Sequence, residues 1–107
     1  MLKQSTKRVH FIGVGGAGVS ALARLMLQLG KEVTGSDLSS SSVTEGLTKL
    51  GATIWQGHDE RYVRHADMVV YSTAVKAGNP ELDYARERGM TLLTRIEEQN
   101  KLGSRAN

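Results

Sequence analysis

A cluster of closely spaced glycines is the part of the sequence best suited to chemistry. The spacing G-x-G-x-x-G, directly after a short apolar run, is satisfied by Gly13, Gly15 and Gly18. Gly13 permits a tight turn, Gly18 lets the following helix pack against a sheet, and the missing Cβ atoms at Gly15 and Gly16 let a phosphate approach the backbone. Unpaired N–H groups and the helix dipole favour an anion there. The loop 13–18, with Ala17, therefore predicts a site for a phosphate-containing ligand, the alternative being a turn that is merely tight.

An acidic residue follows at the distance expected for a nucleotide-binding fold. Asp37 lies 19 residues after Gly18, at the end of the second predicted strand. Its carboxylate can accept two hydrogen bonds from a ribose diol and would repel a 2′-phosphate, which disfavours an NADP-type ligand. The neighbouring Ser36 can assist with its hydroxyl group. The alternative is that both are ordinary strand-end residues, with Asp37 capping the serine-rich turn that follows.

Three small residues, Ser72, Thr73 and Ala74, follow the core of the fourth predicted strand. Small side chains at this place let a nucleotide lie across the strand ends. Residues of the same types also end strands that bind nothing, so for each of them both interpretations stay open. Together with the glycine loop, they predict the two walls of one crevice.

Short apolar runs alternate with helical patterns along the chain. The predicted strands cover 9–12, 31–36, 52–56, 67–73 and 90–93. Helical patterns follow four of these strands, and 57–66 predicts a loop with one helical turn. Alternation of this kind implies βαβ units and a parallel sheet covered on both faces.

The helices carry recognisable start signals and one clear apolar face. Asn79-Pro80-Glu81 combines a capping side chain, a proline with helical φ and an acid near the positive end of the dipole. The serine run 39–42 ends in an N-cap for the second helix, and the Thr94 hydroxyl is expected to cap a last helix that reaches about residue 102. In the first helix, the spacing i, i+3, i+4, i+7 predicts a core-facing stripe formed by Leu22, Leu25, Met26 and Leu29.

These elements predict an α/β fold: a Rossmann-like, three-layer domain with a five-stranded parallel sheet in the order 3-2-1-4-5. In this order the topological switch lies between strands 1 and 4, and ligands bind outside the carboxyl ends of those strands. The turn after Ile12 and the turn after Tyr71 should therefore build the site, with Asp37 on one side.

The composition limits the class of protein. With 107 residues, 39% of them hydrophobic and 23% charged, the chain is expected to form one soluble domain. A formal net charge of +3, scattered basic residues and only 5% aromatic residues argue against nucleic-acid binding. The absence of cysteine excludes disulfides, thiolate metal sites and cysteine nucleophiles. Because no apolar run is long enough to span a bilayer, we expect a cytoplasmic protein without a membrane partner.

The remaining residues do not form a recognisable catalytic or metal site. His10 lies within a predicted strand and is expected to be a packed, hydrogen-bonded core residue, while His65 is expected at the surface. His58 lies on the ligand side of the sheet, so a ligand contact stays open. The three histidines lack metal-ligand spacing, and the sequence contains neither a nucleophile elbow nor a P-loop. We therefore predict nucleotide binding with no catalytic and no metal-binding residue.

The order and spacing of these residues match a known family. The resemblance runs from about residue 8 to residue 97 and rests on His10-Phe11-Ile12-Gly13-Val14-Gly15-Gly16-Ala17-Gly18, Gly35-Ser36-Asp37, Gly51-Ala52, Gly57-His58, Ser72-Thr73-Ala74 and Asn79-Pro80-Glu81. In these segments the chain resembles the N-terminal domain of the UDP-N-acetylmuramate–L-alanine ligases, which belong to the Mur ligase family of peptidoglycan synthesis.

The resemblance implies a domain that holds the UDP part of UDP-N-acetylmuramic acid, with the diphosphate on the loop 15–18 and uridine near Ser36, Asp37 and residues 72–74. It also implies a whole ligase that uses ATP and Mg²⁺ to activate the lactoyl carboxylate as an acyl phosphate, which L-alanine attacks. Such an enzyme serves cell-wall biogenesis, and through it cell shape and division. The family's central ATP-binding domain and its C-terminal domain have no counterpart in this sequence. Because phosphoryl transfer needs a metal and a lysine clamp, we expect the chain alone to bind no cofactor and to be inactive.

Residues 1–99 are therefore predicted to form one UDP-sugar-binding domain, excised or truncated from a longer ligase, and 100–107 a linker, a truncated end or a scar left by cloning. Two other functions fit the same residues. An NAD-binding module of a dehydrogenase or regulatory protein is compatible with the glycine spacing and Asp37. A scaffold domain that kept the fold and lost the ligand is also open. The adjacent pair Gly15 and Gly16 and the wall 72–74 favour the UDP-sugar interpretation.

Overall fold

The computed structural model describes residues 6–95, which form one parallel sheet with helices on both faces. The strands are β1 (Arg8–Ile12), β2 (Glu32–Asp37), β3 (Thr53–Gln56), β4 (Met68–Ser72) and β5 (Thr91–Arg95), and the helices are α1 (Ala17–Gln28), α2 (Ser42–Lys49) and α3 (Pro80–Glu87). A 3₁₀ turn covers Glu60–Tyr62. The strand order is β3-β2-β1-β4-β5, so the predicted Rossmann-like architecture is confirmed. No helix within residues 6–95 is both long and apolar enough to cross a membrane.

The central strand β1 brings the carboxyl ends of its two neighbours together. Ile12 pairs with Ser36 of β2 on one side and with Tyr71 of β4 on the other. The chain leaves β1 and β4 toward opposite faces of the sheet, because α1 packs on one face and α3 on the other. This divergence opens a crevice between the two strand ends, as expected at a topological switch point.

Alternate residues of the central strands supply two separate hydrophobic cores. Phe11 and Val70 are fully buried in the cluster that includes α1 and α2, whereas Ile12 and Val69 are fully buried in the cluster that includes α3. A parallel strand covered on both faces is buried on both, which is why these strands are apolar runs rather than alternating ones. Within β1 the exception is His10, a fully buried polar residue on the α3 side.

The apolar face of α1 differs from its prediction. The buried residues are Val19, Ser20, Ala23 and Met26, while the side chains of Leu25 and Leu29 are 43% and 55% exposed. The prediction was therefore wrong for Leu25 and Leu29, correct for Met26, and half correct for Leu22, which is partly buried against the core. The physical reason is that small residues, including Ala23, face the sheet and let the helix approach it closely. The buried face of α1 is therefore rotated away from Leu25 and Leu29.

The N-caps of α3 and α2 can be compared with their predictions. Asn79 caps α3 as predicted, since its side-chain oxygen accepts hydrogen bonds from the N–H groups of Glu81 and Leu82 at 2.9 and 3.2 Å. The N-cap of α2 is Ser41, inside the serine run rather than at its end, because it forms a capping box with Thr44.

The carboxyl end of β5 lies further along the chain than predicted. Thr94 continues the strand and pairs with Tyr71, so it does not cap a helix. Pairing with β4 continues through Arg95, which lies opposite Ser72. The rest of the helix predicted to reach residue 102, and the segment 100–107, lie outside the described residues.

Substitutions at two adjacent positions of α1 test the rotated apolar face. We expect Met26→Ala to lower the free energy of unfolding by about 2–5 kcal/mol, because it leaves a cavity in the core. Leu25→Ala should lower it by less than about 1 kcal/mol, because 43% of Leu25 is already exposed to water and its removal opens no cavity in the core. Urea denaturation of both variants measures the difference. Equal losses would contradict the burial pattern.

Candidate functional site

The glycine loop is held against the end of β2 by its backbone. The N–H groups of Gly13 and Val14 both donate to the carbonyl oxygen of Ser36, at 2.8 and 2.9 Å. Gly13 has φ +72°, a conformation in which a side chain is strained, and its carbonyl oxygen accepts a hydrogen bond from Gly16 N at 3.0 Å. These contacts turn the chain sharply from β1 into α1 and define the shape of the loop.

The first turn of α1 has the features of an anion site. Gly16 is its N-cap residue, and among residues 6–95 no side chain caps the helix. The first turn contains no acidic residue. Its N–H groups are therefore left for another acceptor, and the helix dipole makes a negatively charged one favourable. A phosphate oxygen meets both conditions.

The glycines of the loop make room for different neighbours. A Cβ atom at Gly15 would lie 2.8 Å from Oδ2 of Asp37, so a side chain there would displace this carboxylate. At Gly18 a Cβ atom would meet Nε of Arg95 at 3.0 Å, whereas at Gly16 its nearest neighbour would be the Gly13 carbonyl oxygen at 3.4 Å. Gly15 thus makes room for the Asp37 carboxylate and Gly18 for the Arg95 side chain, and Gly16 is the least crowded of the three positions.

Asp37, which was predicted to bind a ribose, also makes a contact within the protein. Its Oδ2 accepts a hydrogen bond from Gly15 N at 2.8 Å and so ties the end of β2 to the glycine loop. Its Oδ1 accepts only a long contact of 3.4 Å from Ser39 N. The carboxylate is half-buried and lines the crevice, so an acceptor oxygen remains available beside the loop.

A crevice of about 350 Å³ lies at the carboxyl ends of β1, β2 and β4. It is lined by Gly13, Gly16, Asp37, Leu38, His58, Ser72, Ala74, Val75 and Asn79. A groove of about 390 Å³ between α2 and the edge strand β3 is slightly larger, but it lies away from the switch point. We assign the candidate site to the crevice, because there the open helix N-terminus and the strand ends face the same space.

The predicted site residues fall into three groups. Gly13, Gly16, Asp37, Ser72 and Ala74 line the crevice, and Gly15, Ala17 and Gly18 complete the loop and first turn of α1 above it. Thr73 is exposed beside them, with its N–H donating to the Arg95 carbonyl oxygen at 3.0 Å. Ser36 is different, because its side chain is fully buried and its hydroxyl group donates to Glu81.

Arg95 is a residue that the sequence analysis does not identify. Its exposed side chain crosses the first turn of α1 at Gly18, and within residues 6–95 no carboxylate forms an ion pair with its guanidinium group. The prediction ended β5 at Leu93 and began a helix at Thr94, so this side chain had no assigned direction. In the structure, it adds a positive charge beside the glycine loop.

A buried carboxylate, Glu81, lies directly beneath the crevice. Its Oε1 accepts hydrogen bonds from His10 Nε2 at 2.6 Å and from the Ser36 hydroxyl group at 2.7 Å. Its Oε2 accepts from His58 Nδ1 at 2.9 Å and from the backbone N–H of Asp59 at 3.1 Å. Glu81 is fully buried, and its four donors come from β1, from β2 and from the loop after β3.

The donors determine the ionisation of Glu81. Burial by itself raises the pKa of this carboxyl group, but the hydrogen bonds from His10, Ser36 and His58 outweigh burial and hold the pKa below its ordinary value of 4.5. His10 is the packed, hydrogen-bonded core residue that was predicted, and its Nδ1 accepts from the Thr34 hydroxyl group at 2.8 Å. Although histidines and a carboxylate meet here, no three His, Cys, Asp or Glu side chains within residues 6–95 are placed to hold a metal ion.

Sequence reasoning placed Glu81 only as an acid at the start of α3. The one available signal was His10 itself, because a histidine in the middle of a buried strand requires a hydrogen-bond partner. Which acidic residue supplies that partner depends on how α3 docks on the sheet, since 71 residues separate the two in sequence.

Comparisons with known proteins agree in pointing to one family. The sequence profile described as "Mur ligase family, catalytic domain" matches residues 8–104. The UDP-N-acetylmuramate–L-alanine ligase of Caulobacter sp. (strain K31) is 52% identical over 89 residues, which cover 83% of this chain and 19% of that ligase.

Solved structures show the same similarity at the level of the fold. The UDP-N-acetylmuramate-alanine ligase of Thermotoga maritima superposes with a TM-score of 0.78 and 34% identity, over 82% of this chain and 20% of that one. A murein peptide ligase of Psychrobacter arcticus gives a TM-score of 0.75 and 30% identity, over 80% of this chain and 18% of that one. The chain thus spans about a fifth of the length of these relatives.

The ionised state of Glu81 predicts a specific dependence of stability on pH. Because its folded-state pKa lies below 4.5, its contribution to stability is present above that pH and is lost as the pH falls through the folded-state pKa. We expect Glu81→Gln to lower the free energy of unfolding by about 1–3 kcal/mol at pH 7. The difference from the wild type should shrink below about pH 4.5. The measurement is urea denaturation between pH 7 and pH 3.

Glu60 provides the matched control. It is half exposed and pairs with Arg64 at the surface, so Glu60→Gln should change stability little at either pH. A difference between Glu81→Gln and the wild type that stays constant from pH 7 to pH 3 would contradict an ionised Glu81.

Proposed function

The chain belongs to the Mur ligase family, and from this premise we propose that it binds the UDP part of UDP-N-acetylmuramic acid as the N-terminal domain of a UDP-N-acetylmuramate–L-alanine ligase. The observation that carries the proposal is the open N-terminus of α1 at the topological switch point, in a crevice where Asp37 Oδ1 accepts only a 3.4 Å contact from Ser39 N. Similarity to ligases of peptidoglycan synthesis supports the choice of ligand.

The diphosphate is assigned to the loop 15–18. Its oxygens would accept hydrogen bonds from the uncapped N–H groups of α1, and the missing Cβ of Gly16 would let them reach the backbone. The Arg95 guanidinium, which crosses the helix at Gly18, supports this assignment because it adds a positive charge beside the same turn. Neither feature would favour an uncharged ligand.

The uridine is assigned to the side of the crevice formed by Asp37 and residues 72–74. Asp37 would accept hydrogen bonds from the ribose hydroxyls while its Oδ2 holds Gly15 N, so one carboxylate would bind the sugar and maintain the loop. Ser36 was expected to assist directly. Since its hydroxyl group donates to Glu81 at 2.7 Å, we assign it an indirect part, through its carbonyl oxygen on the loop and its side chain beneath the site.

The ligase reaction itself is proposed for the whole enzyme. ATP and Mg²⁺ would activate the lactoyl carboxylate as an acyl phosphate for attack by L-alanine, and that step requires a lysine and a metal beside the ATP phosphates. No lysine is among the residues that line the crevice. The part of the chain described here would therefore hold the nucleotide sugar in place, in the cytoplasm, while other domains supply the phosphoryl transfer.

An NAD-binding module is the second candidate, and a specific observation keeps it open. The glycine loop followed by Asp37 at the end of β2 is also the arrangement that accepts an adenine dinucleotide. Sequence similarity to ligases favours the UDP sugar.

Titration with three ligands separates the two candidates. We expect saturable binding of UDP-N-acetylmuramate and of UDP in calorimetry, with NMR shifts in the amides of 13–18 and 72–74. NADH should produce neither response. Saturable NADH binding together with no response to either uridine ligand would overturn the proposal.

A pair of glycine substitutions tests the diphosphate position. At Gly16 the backbone already has an extended conformation that alanine adopts. Gly16 lines the crevice, and the alanine Cβ would lie 3.4 Å from the Gly13 carbonyl oxygen. We expect Gly16→Ala to weaken UDP binding roughly tenfold or more, the order of one lost charge-assisted hydrogen bond. Gly15 is a poorer probe, since a Cβ there would also displace Asp37.

Gly46, in the interior of α2, supplies the control because nothing lies within 4 Å of its Cβ position. Gly46→Ala should leave the Kd for UDP unchanged and raise stability by up to about 1 kcal/mol. Unchanged UDP affinity in Gly16→Ala, measured by calorimetry, would show that the loop does not hold the diphosphate.

A further inference from the structure

His58 stands between the buried carboxylate and the crevice. Its Nδ1 faces Glu81 Oε2 at 2.9 Å and the Ser36 hydroxyl oxygen at 3.1 Å. The ring itself lines the crevice, and its side chain is 17% exposed. One edge of the imidazole therefore belongs to the buried hydrogen-bond network, and the opposite edge faces the space assigned to the ligand.

The network determines which ring nitrogen of His58 carries the proton. Glu81 is ionised and can only accept, so Nδ1 must donate to it. The Ser36 contact leads independently to the same assignment. The single hydroxyl proton of Ser36 is donated to Glu81 at 2.7 Å, so Ser36 presents a lone pair to His58 Nδ1. Both neighbours require hydrogen on Nδ1, and in the neutral ring Nε2 is then an acceptor.

The outward nitrogen is available to a ligand. Within residues 6–95 no group forms a hydrogen bond to His58 Nε2. Nor does this part of the chain contain a buried side-chain nitrogen or oxygen without a partner, so Nε2 is open to solvent rather than enclosed. An acceptor in a fixed position, next to the site for ribose and diphosphate, is suited to recognising an N–H group of a base.

We propose that Glu81 is a positioning residue that fixes the tautomer of His58, so that His58 Nε2 accepts a hydrogen bond from the imide N–H of a uracil base bound in the crevice. The inference rests on the proposed function and deepens it, because it explains how the site would select its base. Uracil carries a proton on N3, whereas cytosine carries a lone pair there. An acceptor held at Nε2 favours uracil and repels cytosine.

Calorimetric titration with UDP and CDP at pH 8, where imidazole side chains are ordinarily neutral, measures this selectivity. The wild-type chain is expected to bind UDP at least tenfold more tightly than CDP, the order of one hydrogen bond against an unpaired acceptor. In Glu81→Gln, the shorter hydrogen bonds from His10 and Ser36, at 2.6 and 2.7 Å, keep the amide oxygen on their side. The amide NH₂ then takes the place of Oε2, where it faces His58 Nδ1 and the 3.1 Å contact from Asp59 N–H is lost. The ring proton then moves to Nε2. The UDP/CDP ratio, meaning the affinity for UDP divided by the affinity for CDP, should fall to about one or below.

Thr34→Val is the matched control. It removes the hydroxyl that donates to His10 Nδ1 at 2.8 Å and so disturbs the far end of the network without touching His58. The variant should lose stability but keep the UDP/CDP ratio of the wild type. If Thr34→Val lowers the ratio as much as Glu81→Gln does, Glu81 has no specific positioning role and the proposal is overturned.

A readout that does not depend on ligand is the imidazole ¹⁵N spectrum. The proton of His58 is expected on Nδ1 in the wild type and on Nε2 in Glu81→Gln. If Glu81→Gln does not fold, as judged by circular dichroism, His58→Gln takes its place. Its amide can turn either its oxygen or its NH₂ toward the base, so the UDP/CDP ratio should approach one.

The possible failures are distinguishable. A proton on Nε2 in the wild type, or an unchanged UDP/CDP ratio in a folded Glu81→Gln or in His58→Gln, overturns this inference and leaves the proposed function standing. Absence of UDP binding by the wild type overturns the proposed function, and this inference with it.

Discussion

The arrangement of the site depends on the hydrogen bonds that the buried carboxylate of Glu81 accepts. A charge removed from water is tolerated only when hydrogen bonds replace its hydration, and Glu81 obtains them from His10, Ser36, His58 and the Asp59 backbone. These donors lie on three separate segments, and the acceptor lies on a fourth, α3. Because the charge is stable only when all of them are in place, the network restricts how α3 and the loop after β3 can dock on the sheet.

Ser36 connects this network with the glycine loop. Its carbonyl oxygen accepts the N–H groups of Gly13 and Val14 on one side, and its hydroxyl group donates to Glu81 on the other. The next residue, Asp37, ties Gly15 to the same strand end. The glycine loop is therefore anchored at the end of β2, and the end of β2 is anchored to the buried charge. A loop held in this way is organised before any ligand arrives, which would reduce the entropy lost in the proposed binding.

The proposed division of labour, with nucleotide binding in this chain and phosphoryl transfer elsewhere, agrees with membership of the Mur ligase family. The chain corresponds to about a fifth of its relatives' length. The crevice is lined by Gly16 and Asp37, among others, and no lysine is among its lining residues. Nucleotide binding by this chain and phosphoryl transfer by other domains would separate recognition of the nucleotide from the reaction at the lactoyl carboxylate. The remote nucleotide could then contribute binding energy that orients the reacting carboxylate.

The sequence by itself determined the features that depend on local or repeating signals. Apolar runs and helical spacing predicted the strands and their order, the Asn79 cap followed from its neighbours, and the glycine spacing located the loop. Tertiary structure alone decided which groups meet. The docking of α1 turned Leu25 and Leu29 to solvent, and that of α3 brought Glu81 to His10 across 71 residues. The physical reason is the separation in sequence of the residues that interact. Caps and turns form between residues a few positions apart, whereas burial and charge pairing depend on distant elements that only the folded sheet places side by side.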